Sequence, residues 1–135
     1  MNINHFILVD DDPLNNMLSQ IAIEDALEFA DIKKYEKPLL ALREIEEDYA
    51  KLRKDEKTIL FLDINMPLMT GWQFLDVYKG FSEFIRNQII IFILSSSVYR
   101  RDVEQAETNP LVAGFISKPL DGDEFKQMLT KFLGN

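Results

Sequence analysis

Five side chains able to do chemistry together stand directly after short apolar runs in this chain. Asp10 and Asp11 follow Phe6 to Val9, Asp63 follows Ile59 to Leu62, Ser95 follows Ile89 to Leu94, and Lys118 comes two residues after the run Val112 to Ile116. Three carboxylates brought to one place repel each other and raise one another's proton affinity, so a cation is expected to neutralise them. Hard oxygen ligands, with no cysteine in the chain and only His5 as an imidazole, favour Mg²⁺ or Mn²⁺ over zinc or copper. Phosphoryl transfer relies on in-line positioning and charge neutralisation more than on acid-base chemistry. A metal, a lysine and a hydroxyl around a nucleophilic aspartate supply both, so the grouping suits formation of an aspartyl phosphate.

That chemistry requires the elements to meet at one edge. Dense apolar runs alternate with longer stripes of helical spacing, the pattern of successive strand and helix units around a parallel sheet. A fifth, weaker run at Ile32 to Tyr35 contains Lys33 and Lys34 and reads as an edge strand. Helical stripes are expected from Leu14, Met17, Leu18 and Ile21, from Leu42, Ile45 and Tyr49, from Trp72, Leu75 and Tyr78, and from Phe125, Met128, Leu129 and Phe132. Asp12-Pro13, Thr70 with Gln73, and Asp121 with Glu124 read as helix starts. The fourth helix is placed by elimination at Ser97 to Glu107, and the alternating charges from Arg43 to Lys57 read as a solvated helical face. Right-handed crossovers point all the strands the same way, so the residues that follow them line one carboxyl rim, where open α/β sheets bind ligands.

Composition narrows the function classes. The chain has 135 residues, 47% hydrophobic and 28% charged, which fits one globular domain over residues 1–135 with no separate output module. Fifteen Lys and Arg against twenty-three Asp and Glu give a net charge of -8, unfavourable for nucleic acid or anionic lipid. The absence of cysteine and the shortness of the apolar run Phe6 to Val9, too short for a signal peptide, suit a cytoplasmic protein.

Four segments, Ile7-Leu-Val-Asp-Asp-Asp-Pro13, Leu62-Asp-Ile-Asn-Met-Pro67 with Gly71, Ile93-Leu-Ser95 and Phe115-Ile-Ser-Lys-Pro119, resemble the signatures of response-regulator receiver domains, in order and with fitting intervals. The resemblance implies a flavodoxin-like (βα)5 three-layer sandwich, a parallel five-stranded sheet of order 2-1-3-4-5. It implies that Asp63 is the phosphoacceptor, that Asp10 and Asp11 form the acidic pair with Asp11 a direct metal ligand, and that Asn65 lends its backbone carbonyl to the metal. Ser95 would bond a phosphoryl oxygen and move toward it, Lys118 would pair with the phosphoryl charge, and Pro119 would follow a cis bond. Phe115 stands where many receivers carry Tyr: its ring can rotate inward as Ser95 moves, but it has no hydroxyl to donate. Ser96 stands where a smaller residue is usual.

The implied partners are a histidine kinase or histidine phosphotransfer protein and an unidentified downstream protein. Nucleic acid and membrane are not expected, and the chain is expected to be a monomer that can pair on phosphorylation. Kinase choice is expected to rest on the exposed side of the first helix, near Asn15, Asn16 and Ser19, and on the loop after Lys118. Three rival readings weigh less. A haloacid-dehalogenase-type phosphatase would carry a second aspartate where Asn65 stands. A histidine phosphocarrier would present His5 on a helical bundle rather than at a strand start. A receiver-like interaction module that is never phosphorylated would not need the full set of site residues. The aromatic residues Trp72, Phe74, Tyr78 and Phe81 read as helix packing rather than a cofactor box.

Overall fold

β-branched and aromatic runs that are buried on both faces, such as Ile59 to Leu62 and Ile91 to Leu94, have no polar side to show water, so they form inner strands of a parallel sheet. In the computed structural model, which describes residues 2–51 and 56–132, the elements run β1 (Asn2–Val9), α1 (Pro13–Ala26), β2 (Asp31–Tyr35), α2 (Pro38–Tyr49), β3 (Glu56–Leu62), α3 (Gly71–Tyr78), α4 (Glu83–Arg86), β4 (Ile89–Ser95), α5 (Arg100–Thr108), β5 (Val112–Ser117) and α6 (Gly122–Phe132). All pairings are parallel and the order is β2-β1-β3-β4-β5, as the sequence led us to expect. The fold is flavodoxin-like. No helix among the described residues is long and apolar enough to cross a membrane.

The sheet separates two cores. Leu60, Leu62, Ile91 and Ile93 face α2, α3 and α5 through Ala41, Leu42, Ile45, Phe74, Leu75 and Ala106. Ile59, Phe61, Phe92 and Leu94 face α1 and α6 through Ala22, Ile23, Phe125 and Leu129. The expected stripes of α2, α3 and α6 are thus found on their inner faces, with Trp72, Met128 and Phe132 partly buried at the margins. Phe74, Tyr78 and Phe81 lie in the first core, as helix packing requires.

Helix α1 reverses the expectation. Leu14, Met17, Leu18 and Ile21 face solvent, while Asn16, Ser19, Ala22 and Ile23 are buried. Two interleaved stripes of the same helical spacing competed, and the hydrogen-bond demand of the strand ends decided between them. The Asn16 amide donates to the backbone oxygens of Asp10 at 3.0 Å and Tyr35 at 3.4 Å, carbonyls that end neighbouring strands. A buried acceptor left unpaired costs about 1–3 kcal/mol, whereas apolar side chains on a folded surface are ordinary. Asn16 and Ser19 are therefore unavailable as surface determinants of kinase choice, and Asn15 is only half exposed.

Helix starts follow their side-chain chemistry. Asp12 caps α1 by accepting from the Leu14 amide at 3.0 Å, with Pro13 in the first turn. Thr70 and Gln73 form a reciprocal capping box at α3. Asp121 supplies half of one to α6, accepting from the Glu124 amide at 3.1 Å. Helix α5 begins at Arg100, three residues beyond the expected Ser97, because the Ser97 side chain bonds Asp102 and the Tyr99 amide and holds the segment outside the helix. Helix α4, not foreseen, is one turn capped by Ser82, too short to generate periodicity. Of the expected charged stretch from Arg43 to Lys57, α2 accounts for the part to Tyr49, and residues 52–55 lie outside the described residues.

The reversed face of α1 has a measurable signature. Asn16→Ala, which removes the side-chain donor to the Asp10 oxygen and leaves the Tyr35 oxygen with the Asp10 amide alone, should lower the unfolding free energy by about 1–3 kcal/mol in urea melts. Leu14→Ala on the exposed stripe should change it by less than about 0.5 kcal/mol.

Candidate functional site

Ladder hydrogen bonds continue one residue past the strands and set the site. The Asp10 amide donates to the Tyr35 oxygen at 3.0 Å, the Asp63 amide to the Val9 oxygen at 3.0 Å, and the Lys118 amide to the Ser95 oxygen at 3.0 Å. Three of the candidate site residues are thereby tied to the adjacent strand through main-chain atoms. β1 and β3 are neighbours at the point where strand order reverses, so Asp10, Asp11 and Asp63 converge there.

Their carboxylate oxygens lie within 4.8 Å of one another. Asp10 and Asp63 are buried, Asp11 is half-buried, and Ser95 is fully buried. The Lys118 ammonium reaches in from the end of β5, 2.6 Å from Asp10 Oδ2 and 3.4 Å from Asp63 Oδ1. The Lys118–Pro119 peptide bond is cis, as the resemblance implied. Asp10 also accepts from the Asp12 amide at 2.9 Å.

With all four groups ionised, three carboxylates against one ammonium leave two negative charges in excess. Burial, then the charge of Asp10, pushes the Asp63 carboxyl up to about 6, although Lys118 and the Asn65 amide, which bonds the carboxylate, pull the other way. Burial by itself would lower the proton affinity of Lys118, but its bonds and charge pairing with Asp10 and Asp63 outweigh this and raise it. Lys118 therefore stays charged. An acidic, cysteine-free, oxygen-only donor set that its lysine neutralises only in part fits a hard divalent cation.

Asp63 is seated by the helix that follows it. The Gly71 amide donates to the Ile64 oxygen at 2.8 Å, and a Cβ at Gly71 would stand 2.6 Å from the Asp63 oxygen and 3.0 Å from the Ile64 Cα. Only glycine lets α3 start this close. Beneath the carboxylates, a cavity of about 10 Å³ between Asp10, Asn16, Ser19 and Asp63 has no room for an organic ligand, so a reacting group has to approach Asp63 from the rim.

The residues singled out from sequence divide cleanly by place. Asp10, Asp11, Asp63 and Lys118 come together in one cluster. Ser95 ends β4 beside Ser117 of β5, and its hydroxyl accepts from the Ser97 amide at 3.2 Å. Asn65 and Ser96 are exposed, and Phe115 is half-buried against the core beneath α5. His5 is far from this cluster at the amino rim, its ring nitrogens 2.9 Å from Asp31 and 3.0 Å from Glu56, the first residues of β2 and β3. Sequence reasoning gave Asn16 a surface role and missed that it is buried and braces Asp10 from α1. The signal for it was an asparagine three residues before a serine and seven before Ile23, a second possible inner face.

Comparison with known proteins agrees with this architecture. Residues 6–130 match the response regulator receiver domain family. A two-component response regulator from Cytophaga hutchinsonii is 30% identical over 100% of both chains with a TM-score of 0.87. A receiver protein from Dyadobacter fermentans DSM 18053 is 23% identical, covers 98% of each chain and has a TM-score of 0.84. The chemotaxis response regulator CheY4 of Vibrio cholerae is 18% identical over 96% of this chain and 98% of its own, with a TM-score of 0.71. No curated protein matches the chain.

Two outcomes test the site physics without any reaction. A carboxyl whose proton affinity rises on folding makes the native state bind more protons, so stability falls as pH climbs from about 4 to about 6 and stays lower above that range. In chelator, Asp63→Asn should therefore raise the unfolding free energy by about 1–2 kcal/mol at pH 7, a gain that vanishes near pH 4. Gly71→Ala should cost about 1–3 kcal/mol in the same melts, because backbone rather than a flexible side chain has to yield.

Proposed function

The chain belongs to the response regulator receiver domain family, and on that premise we propose that it is the phosphoacceptor switch of a two-component phosphorelay in the cytoplasm, taking a phosphoryl group onto Asp63 from a histidine kinase or a histidine phosphotransfer protein. The observation that carries this reading is the buried Asp63 carboxylate, within 4.8 Å of two further carboxylates and 3.4 Å from the Lys118 ammonium. A nucleophile held beside a charge that can accept phosphoryl oxygens is what in-line transfer requires.

An Asp63 carboxylate oxygen attacks the donor phosphorus. The new O–P bond forms as the P–N bond to the donor imidazole breaks, and the electron pair stays on that nitrogen, which takes up a proton. Lys118 exchanges part of its pairing with Asp10 and Asp63 for a phosphoryl oxygen, and the Ser95 hydroxyl donates to another. Asp10, Asp11 and Asp63, with the Asn65 backbone carbonyl, would hold Mg²⁺ or Mn²⁺, which supplies charge neutralisation to the transferring group. The domain accepts its own phosphoryl group and hydrolyses it slowly, without turning over a metabolite.

Movement of Ser95 toward the phosphoryl group would draw on the segment its hydroxyl caps at Ser97 and so on the start of α5. Phe115, half-buried beside that core, would follow by rotation, and the face of α5, β5 and α6 would report the change to a partner protein.

Incubation with acetyl phosphate and Mg²⁺, followed by intact-protein mass spectrometry, should give one hydroxylamine-labile phosphoryl adduct. Asp63→Asn and a chelator control should each remove it. An intact fold with no adduct on the wild type would favour the interaction module that is never phosphorylated. Lys118→Ala should lower adduct formation by about 10²-fold or more at unchanged Asp63.

A further inference from the structure

The groove between the start of α2 and the loop from Asp63 to Gly71 is lined by Lys37, Pro38, Leu39, Leu40, Arg43 and Leu68 and has a volume of about 240 Å³. Leu39 is 63% exposed and Leu68 84%, so two leucines face water across it. Its electrostatics run against those of the molecule. In a chain of net charge -8, this apolar groove is edged by two cations, and among the described residues neither Lys37 nor Arg43 has a carboxylate within ion-pair distance.

The start of α2 adds a third feature of the same sign. Lys37 stands at the cap position without a side-chain hydrogen bond to the helix, and no acidic residue occupies the first turn. Its first amides therefore lack the side-chain acceptor that Asp12 gives α1 and Thr70 gives α3. An outside carboxylate placed there would cap the helix, favoured by its dipole. The exposed stripe of α1 is also apolar, but it has no such charge pattern to define what would cover it.

We infer that this groove docks a partner segment carrying a leucine-like side chain with an aspartate or glutamate beside it. The apolar side chain lies between Leu39 and Leu68, and the carboxylate meets Lys37, Arg43 and the α2 amino end. Recognition is separate from the carboxylate cluster, although Leu68 belongs to the loop that carries Asp63. A basic segment is rejected by the two cations and an anionic surface without apolar side chains leaves the leucines wet, so the two features together set specificity.

Selection of a displayed random-peptide library on the full chain tests this. Peptides that combine Leu, Ile or Phe with Asp or Glu should be enriched on wild type and lost on the Leu39→Ser/Leu68→Ser double variant. A selected peptide titrated by fluorescence anisotropy should bind about tenfold or more weakly to Arg43→Glu, and wild-type binding should weaken with added salt. The substituted leucines are exposed, so thermal melts of the double variant should match wild type, and its phosphoryl uptake should stay normal. That separates failure of docking from failure of the phosphoacceptor reading. No enrichment, peptides without acidic residues, or equal enrichment on the double variant would overturn the inference. So would a dimer of the wild type, seen by sedimentation, that the double variant loses, since a second copy would then fill the groove.

Discussion

Two buried aspartates share one ammonium in this molecule, and the site's geometry follows from that shortage of positive charge. Lys118 is drawn closer to Asp10 than to Asp63, leaving Asp63 the less neutralised of the pair. Folding thus holds a carboxylate in a setting that disfavours its charge, and a cation or a phosphoryl group bound there would relieve it. A site that is comfortable when empty would have little reason to change on filling. Strain of this kind has to be held in place from outside, and the elements around the rim provide that. α3 lies against the Asp63 backbone at Gly71 and bonds the Ile64 oxygen, α1 grips the Asp10 carbonyl through Asn16, and the Asn65 amide holds the carboxylate itself.

The two layers of helices have different roles in this. The α2, α3 and α5 side packs large aliphatic and aromatic side chains, and the loop that carries Asp63 passes directly into α3 across it. On the other side, α1 approaches the sheet with Asn16, Ser19, Ala22 and a single large side chain, Ile23, and leaves Leu14, Met17, Leu18 and Ile21 outside. The consequence is a first helix fixed by hydrogen bonds of Asn16 near its amino end and by a narrow seam of Ala22 and Ile23 beyond it. Its apolar outer face is a by-product of that choice.

What the sequence made legible depended on how local the cause was. Strand positions could be read because runs such as Ile89 to Leu94 have only one environment that suits them. The capping residues Asp12 and Thr70 could be read because their bonds close within three residues. The convergence of Asp10, Asp11 and Asp63 followed from parallel strands and right-handed crossovers alone. The inner face of α1 could not be read, since the deciding acceptors include a carbonyl of Tyr35, nineteen positions away in sequence. The start of α5 was misplaced because Ser97 turned its side chain to Asp102, a local competitor that resembles a cap when only residue types are known. Helix α4 was invisible because one turn has no period.

The hydrogen bonds that run past the ends of β1, β3 and β5 use only main-chain atoms. Any residue except proline can supply them, so this part of the anchoring of Asp10, Asp63 and Lys118 does not draw on side-chain identity, unlike the parts played by Asn16 and Gly71. Exposed helix surfaces can change while the acidic corner keeps its dimensions, because none of these bonds uses them. The scaffold therefore has two compartments: exposed surfaces that carry no part of the frame, and the carboxylate cluster with the few residues that seat it. New partner specificities can accumulate on such a frame without the chemistry having to be relearned.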